Sequence, residues 1–109
     1  MKIQFDQLPE TRLERFWGGD GALCAKMHVD ERNKILRGVL APGHSIGYHV
    51  HDTSSEIIFF LSGTGKTVTD GVEETVTAGD CHYCKKGQQH RLINDGDEEL
   101  IFFAVVPQQ

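Results

Sequence analysis

Turn-forming residues interrupt this chain at short, regular intervals, and that punctuation restricts its fold more than any other feature. Gly18-Gly19-Asp20-Gly21, Asp30-Glu31-Arg32-Asn33, Pro42-Gly43, Ser62-Gly63, Asp70-Gly71, Gly79-Asp80, Gly87 and Asn94-Asp95-Gly96 supply the breaks. Between them lie runs rich in β-branched and aromatic residues at 22–28, 34–40, 45–50, 56–61, 66–69, 72–76, 80–83, 89–93 and 99–106. Many short strands at this spacing predict an all-β sandwich or barrel. Asp70-Gly71 between two such runs is the strongest hairpin signal, since a two-residue turn of this kind needs positive φ at both positions. Helical patterning is confined to Leu13, Phe16 and Trp17, enough for one amphipathic turn near the N-terminus.

Size and charge narrow the functional classes. A chain of 109 residues has room for one domain, 1–109, and can bury a working β core without staples. The formal net charge is −5 and the basic residues are scattered apart from Lys85-Lys86. A phosphate backbone is repelled by such a surface, so nucleic acid is excluded as a partner. The longest apolar runs, 57–61 and 100–106, fall far short of a bilayer span, so no membrane partner is expected. The first 15 residues are polar, without the apolar stretch of a signal peptide. Three cysteines, Cys24, Cys81 and Cys84, form no disulfide framework, which points to free thiols in the cytoplasm.

The chemistry concentrates in two segments. His49 and His51 stand two residues apart at the end of a predicted strand, so their side chains share a face roughly 6–7 Å apart along the chain. Glu56 opens the next strand after the turn-like Asp52-Thr53-Ser54-Ser55, and His90 arrives from a later strand after the turn at Gly87. Three imidazoles and a carboxylate suit one divalent transition metal: Fe, Mn, Ni, Zn or Cu. A lone histidine on a strand is more often structural or solvated than a ligand. The full set at these spacings is what favours a metal.

Gly43 to Gly63 reads G-x5-H-x-H-x4-E-x6-G, and Gly79 to Asn94 reads G-x5-K-x-G-x2-H-x3-N. These resemble the two motifs of the cupin superfamily, at every fixed position of the first and all but one of the second, where Lys85 replaces the usual proline. That exchange frees a turn and touches no ligand. The resemblance implies a small single-domain cupin of the conserved-barrel type, a double-stranded β-helix or jelly-roll barrel. It places His49, His51, Glu56 and His90 on the family's metal-ligand positions and favours a homodimer.

The remaining candidates are weaker. Cys81 and Cys84 lie three apart on a strand, face opposite ways, and lack the second cysteine pair a zinc ribbon needs. His28, His44 and His82 have no partner spacing and read as surface or loop residues, and Asp95, Asp97, Glu98 and Glu99 as a solvated loop. Strand parity from Glu56 puts Ile58 and Phe60 on the metal side and Ile57, Phe59 and Leu61 outside. Parity from His90 adds Gln88, Leu92 and Asn94, so the expected pocket is lined by Ile58, Phe60, Gln88, Leu92 and Asn94. The apolar outer faces of 56–61 and 100–106 call for a cover, either the N-terminal segment 1–21 or a second subunit. Three functions stay open: a metal-dependent dioxygenase, isomerase or lyase acting on a small organic molecule, a non-catalytic small-ligand binding or sensing module, and a structural zinc site. Fold alone does not choose a reaction; an open coordination position separates the first two from the third.

Overall fold

Strands form wherever the turn chemistry leaves room for them. In the computed structural model, which describes residues 1–109 throughout, they are β1 (Thr11–Glu14), β2 (Ala22–Val29), β3 (Asn33–Leu40), β4 (Ser45–Val50) and β5 (Glu56–Ser62). The second half adds β6 (Thr64–Thr69), β7 (Val72–Thr77), β8 (Cys81–Cys84), β9 (Gln89–Ile93) and β10 (Leu100–Pro107). They make two antiparallel sheets, a six-stranded one in the order β1-β2-β3-β10-β5-β8 and a four-stranded one in the order β4-β9-β6-β7. This is the all-β jelly-roll barrel that the punctuation and motifs imply. No helix is long and apolar enough to cross a membrane.

Alternation along the strands builds the core. Leu36 and Leu40 on β3, Ile58 and Phe60 on β5, Leu92 on β9, and Leu100, Phe102 and Ala104 on β10 point inward and join one buried cluster. Their neighbours Phe59, Leu61 and Tyr83 remain exposed on the outer face of the larger sheet. The β6–β7 connection is the two-residue turn expected, with Asp70 at φ 48 and Gly71 at φ 83, the left-handed pair that matches the twist of the flanking strands.

The N-terminal segment departs from expectation. Leu13, Phe16 and Trp17 do not share an amphipathic helical turn: Leu13 sits in β1 opposite Leu23, and Phe16–Gly18 is a single 3-10 turn with Trp17 at φ 54. Three apolar residues at helical spacing cannot meet the cost of nucleating a helix, whereas an open sheet edge offers ready backbone partners. The segment packs on its own barrel, with Phe5 stacked on Phe103 at 5.2 Å between ring centroids.

Candidate metal centre

A local irregularity in β4 aims the first ligand. β4 pairs with β9 so that Ile46 faces Leu92 and His49 faces His90, which leaves one extra residue on β4 between the two pairs. This bulge, at Gly47 and Tyr48, breaks strict alternation and lets both Ile46 and His49 face inward. His51 follows just past the strand, Glu56 opens β5, and His90 reaches across from β9. The ligand-bearing atoms of His49, His51, Glu56 and His90 all lie within 4.8 Å of one another.

The Nε2 atoms converge. His90 Nε2 lies 3.0 Å from Nε2 of His49 and of His51, and Glu56 Oε1 lies 2.9 Å from His90 Nε2, 3.1 Å from His51 Nε2 and 3.8 Å from His49 Nε2. Each Nδ1 is engaged on the far side. His49 Nδ1 donates to the Gly47 carbonyl at 2.8 Å, His51 Nδ1 donates to the Ser54 hydroxyl at 3.0 Å, and His90 Nδ1 lies 2.9 Å from His82 Nε2. With the proton fixed on Nδ1, each ring presents an Nε2 lone pair to the common point, the arrangement in which imidazoles ligate metal. Three lone pairs and a carboxylate crowded together repel unless a cation or shared protons lie between them. The donor set therefore fits one divalent transition metal, and these residues could hold it.

Electrostatics agree with that reading. Burial drives the Glu56 carboxyl upward, but in the metal-free cluster, where shared protons rather than a cation lie between the rings and the carboxylate, hydrogen bonds from His49, His51 and His90 outweigh it and hold the group well below the usual carboxylate range, so it stays anionic. Burial lowers His90 and brings His82 down to about 4, which keeps both rings neutral near pH 7. A neutral His82 Nε2 can accept the His90 Nδ1 proton.

His82 corrects the sequence reading: it is not a surface residue but is 6% exposed, pairing opposite Ile58 on β5 and so pointing inward. The signal was β8 parity, readable only once the β5–β8 register is known. His44 is half-buried as well, accepting a hydrogen bond at Nδ1 from the Ala22 amide. His28 stays beside Asp30 at 3.6 Å. Cys81 is exposed and Cys84 buried, on opposite faces as expected, and burial pushes the Cys84 thiol up to about 12, which makes it unreactive.

The cavity beside the cluster is lined by other residues than those expected. It encloses about 270 Å³ and is bordered by His49, His51 and Glu56 together with Leu13, Phe16, Trp17, Met27, Lys34 and Val106, among others. None of Ile58, Phe60, Gln88, Leu92 and Asn94 lines it. Ile58, Phe60 and Leu92 belong to the core beneath the metal ligands. Asn94 is buried and donates from Nδ2 to the carbonyls of Leu40 and Glu98. Gln88 accepts from the Lys85 amide and donates toward Asp70. Parity gives the face of a strand but not the depth, and much of the cavity wall comes from β2, β3 and the N-terminal turn.

Two short sheets closed over a three-histidine, one-carboxylate cluster define a double-stranded β-helix with a candidate metal site. The chain belongs to the cupin family: residues 36–106 match the cupin domain. It is 29% identical to an oxalate-binding protein from Thermotoga maritima, over 97% of this chain and 93% of that one. It is 26% identical to the tetracenomycin polyketide synthase protein TcmJ from Streptomyces glaucescens, over 83% of this chain and 62% of that one. The crystal structure of a predicted oxalate decarboxylase from Thermotoga maritima superposes with a TM-score of 0.94 at 26% identity, covering all of both chains. The polyketide cyclase RemF from Streptomyces resistomycificus matches in fold, with a TM-score of 0.81 at 18% identity over 100% of this chain and 80% of that one.

Proposed function

We propose that this protein binds one divalent transition metal on His49, His51, Glu56 and His90 and is a metal-dependent enzyme acting on a small organic molecule, of the dioxygenase, isomerase or lyase type. The observation that carries this is the convergence of three Nε2 atoms and one carboxylate at the edge of an apolar cavity. Four protein ligands on an octahedral ion leave two positions for a small molecule. When bound, the metal would polarise oxygen donors placed there as a Lewis acid. The chain's own residues hold the ligating rings in one tautomer, keep Glu56 anionic, and exclude water with apolar walls. A second reading, a non-catalytic small-ligand binding cupin, is favoured by the 29% identity to a protein named for binding oxalate.

Metal analysis of purified protein, followed by a thermal-shift screen of small carboxylates, sugars and phenols and a turnover assay on each hit, tests both. Metal uptake with turnover supports the enzyme, and metal uptake with binding alone supports the second reading. A saturated four-coordinate zinc site without a free position sinks both.

The same reading includes a homodimer in the cytoplasm. Phe59, Leu61 and Tyr83 are exposed on one sheet face, and a net charge of −5 argues against a nucleic-acid partner. Light scattering should give a dimer mass that Phe59→Glu converts to a monomer. A monomer mass for the unmodified protein at micromolar concentration sinks the dimer.

A further inference from the structure

The cavity carries a second set of features, independent of the metal ligands, that bear on what enters it. Trp17 is the chain's single tryptophan; it borders the cavity and is 58% exposed. Its indole stacks on the His49 ring, with 5.3 Å between centroids and 15° between planes. Its backbone is left-handed, and so is that of Arg15 at φ 46, a conformation disfavoured for residues that carry a Cβ. Close backbone packing holds the turn in place. A Cβ at Gly47 would collide with the Trp17 carbonyl, and one at Gly19 with the Ser45 carbonyl. The fold thus maintains, against local strain, a flat apolar surface open beside a metal-ligating ring.

The rest of the cavity adds size and charge. Leu13, Phe16, Met27 and Val106 contribute apolar wall, Lys34 is the sole lysine or arginine among the lining residues, and Asp52 and Glu56 are the acidic ones. A volume of about 270 Å³ lies near the lower end of small-molecule pockets, about 300 Å³, and well above what the smallest dicarboxylates fill.

We propose that the cavity takes a planar aromatic oxyacid: the ring lies along Trp17, its oxygen donors take the two open positions on the metal, and its negative charge is balanced by Lys34. This rests on the metal-centre reading above and narrows its substrate class. Trp17 is then a specificity-determining residue, because a flat ring gains contact with the indole that a small dicarboxylate or a flexible alkyl acid does not.

The test is calorimetric titration of the zinc-loaded full chain with salicylate, oxalate and hexanoate, with zinc content measured on the same samples. Salicylate should bind at least tenfold more tightly than either other acid. Trp17→Ala should abolish that preference while oxalate affinity and zinc content stay unchanged, and Trp17→Phe should keep most of it. Lys34→Gln should weaken salicylate and oxalate together. Salicylate binding no tighter than oxalate to the zinc-loaded unmodified protein overturns the proposal, as does a Trp17→Ala variant that keeps the preference. Protein that takes up neither zinc nor any of iron, manganese, nickel and copper overturns the metal-centre reading and this proposal with it. Zinc-loaded protein without the preference overturns the aromatic slot alone.

Discussion

His82 is not one of the four converging side chains, yet the orientation of His90 depends on it. Its Nε2, 2.9 Å from His90 Nδ1, is the acceptor that keeps the His90 proton away from the cluster. Replacing it with leucine leaves a buried N–H without a partner and favours the tautomer that blocks Nε2. We expect His82→Leu to weaken metal binding by about 10–100-fold, read by competition with a chromophoric chelator; unchanged affinity would mean that His82 only fills space. The same residue shapes the acid response of the metal-free protein. His82 is lowered from 6.5 to about 4, so below pH 6.5 the unfolded chain takes up a proton that the fold refuses. Stability is therefore lost as pH falls through that window. Lowered His90 and Glu56 act in the same direction. Urea midpoints of chelator-treated protein should fall from pH 7 to pH 5, and His82→Leu should flatten that slope. The four converging side chains were legible in the sequence as candidate ligands because their spacing is fixed by two short segments. His82 was not, because its partner comes from a different sheet and no local spacing links β8 to β9.

β4 and the turn before β2 act as one element of the site. The bulge at Gly47 and Tyr48 turns His49 inward, the Gly47 carbonyl accepts its Nδ1 proton, and the absence of a Cβ at Gly47 admits the Trp17 carbonyl. A methyl group there must push the 16–18 turn away or flatten the bulge. Overpacking of this kind costs about 1–3 kcal/mol. Gly47→Ala should therefore lower the melting midpoint by at least several degrees and shift the emission of the lone tryptophan as its indole leaves the His49 ring. An unchanged emission maximum and midpoint would contradict this coupling. Strands were legible where β-branched runs meet turn residues, and each such run forms one. β1 was not, because Thr11-Arg12-Leu13-Glu14 offers only Leu13 to a buried face and owes its conformation to the edge of β2. The bulge has one residue signature, Gly47 inside a strand, which by itself does not separate a bulge from a close backbone approach. It exists because His49 must meet His90 while Ile46 meets Leu92.

At the scale of the whole molecule, the core is a continuous cluster of apolar side chains drawn from both sheets, so the barrel is expected to close without metal. Parity along β5 and β9 assigned Ile58, Phe60 and Leu92 to the right face but not to this layer, and only the closed barrel separates core from cavity. Metal binding and folding should then be coupled by mass action rather than by necessity. A metal that binds the folded barrel and not the unfolded chain stabilises it by about 2.7 kcal/mol at a hundredfold excess over its dissociation constant. For a domain of this size, that corresponds to a midpoint raised on the order of 10 °C. The gain needs unprotonated imidazoles and an ionised carboxylate. Glu56 remains ionised well below its ordinary value, so proton competition for the imidazoles sets the limit, and the advantage of the metal-loaded form should be smaller at pH 5.5 than at pH 7.5. His51→Ala removes a candidate ligand that lines the cavity and lies outside the core cluster. It should erase most of the metal-dependent rise while leaving the β-type circular dichroism intact. Melting curves of loaded and chelated protein at pH 7.5 and pH 5.5 decide the matter. If chelation leaves the midpoint at pH 7.5 unchanged in protein verified to carry metal, the site is not linked to folding in the way its geometry requires.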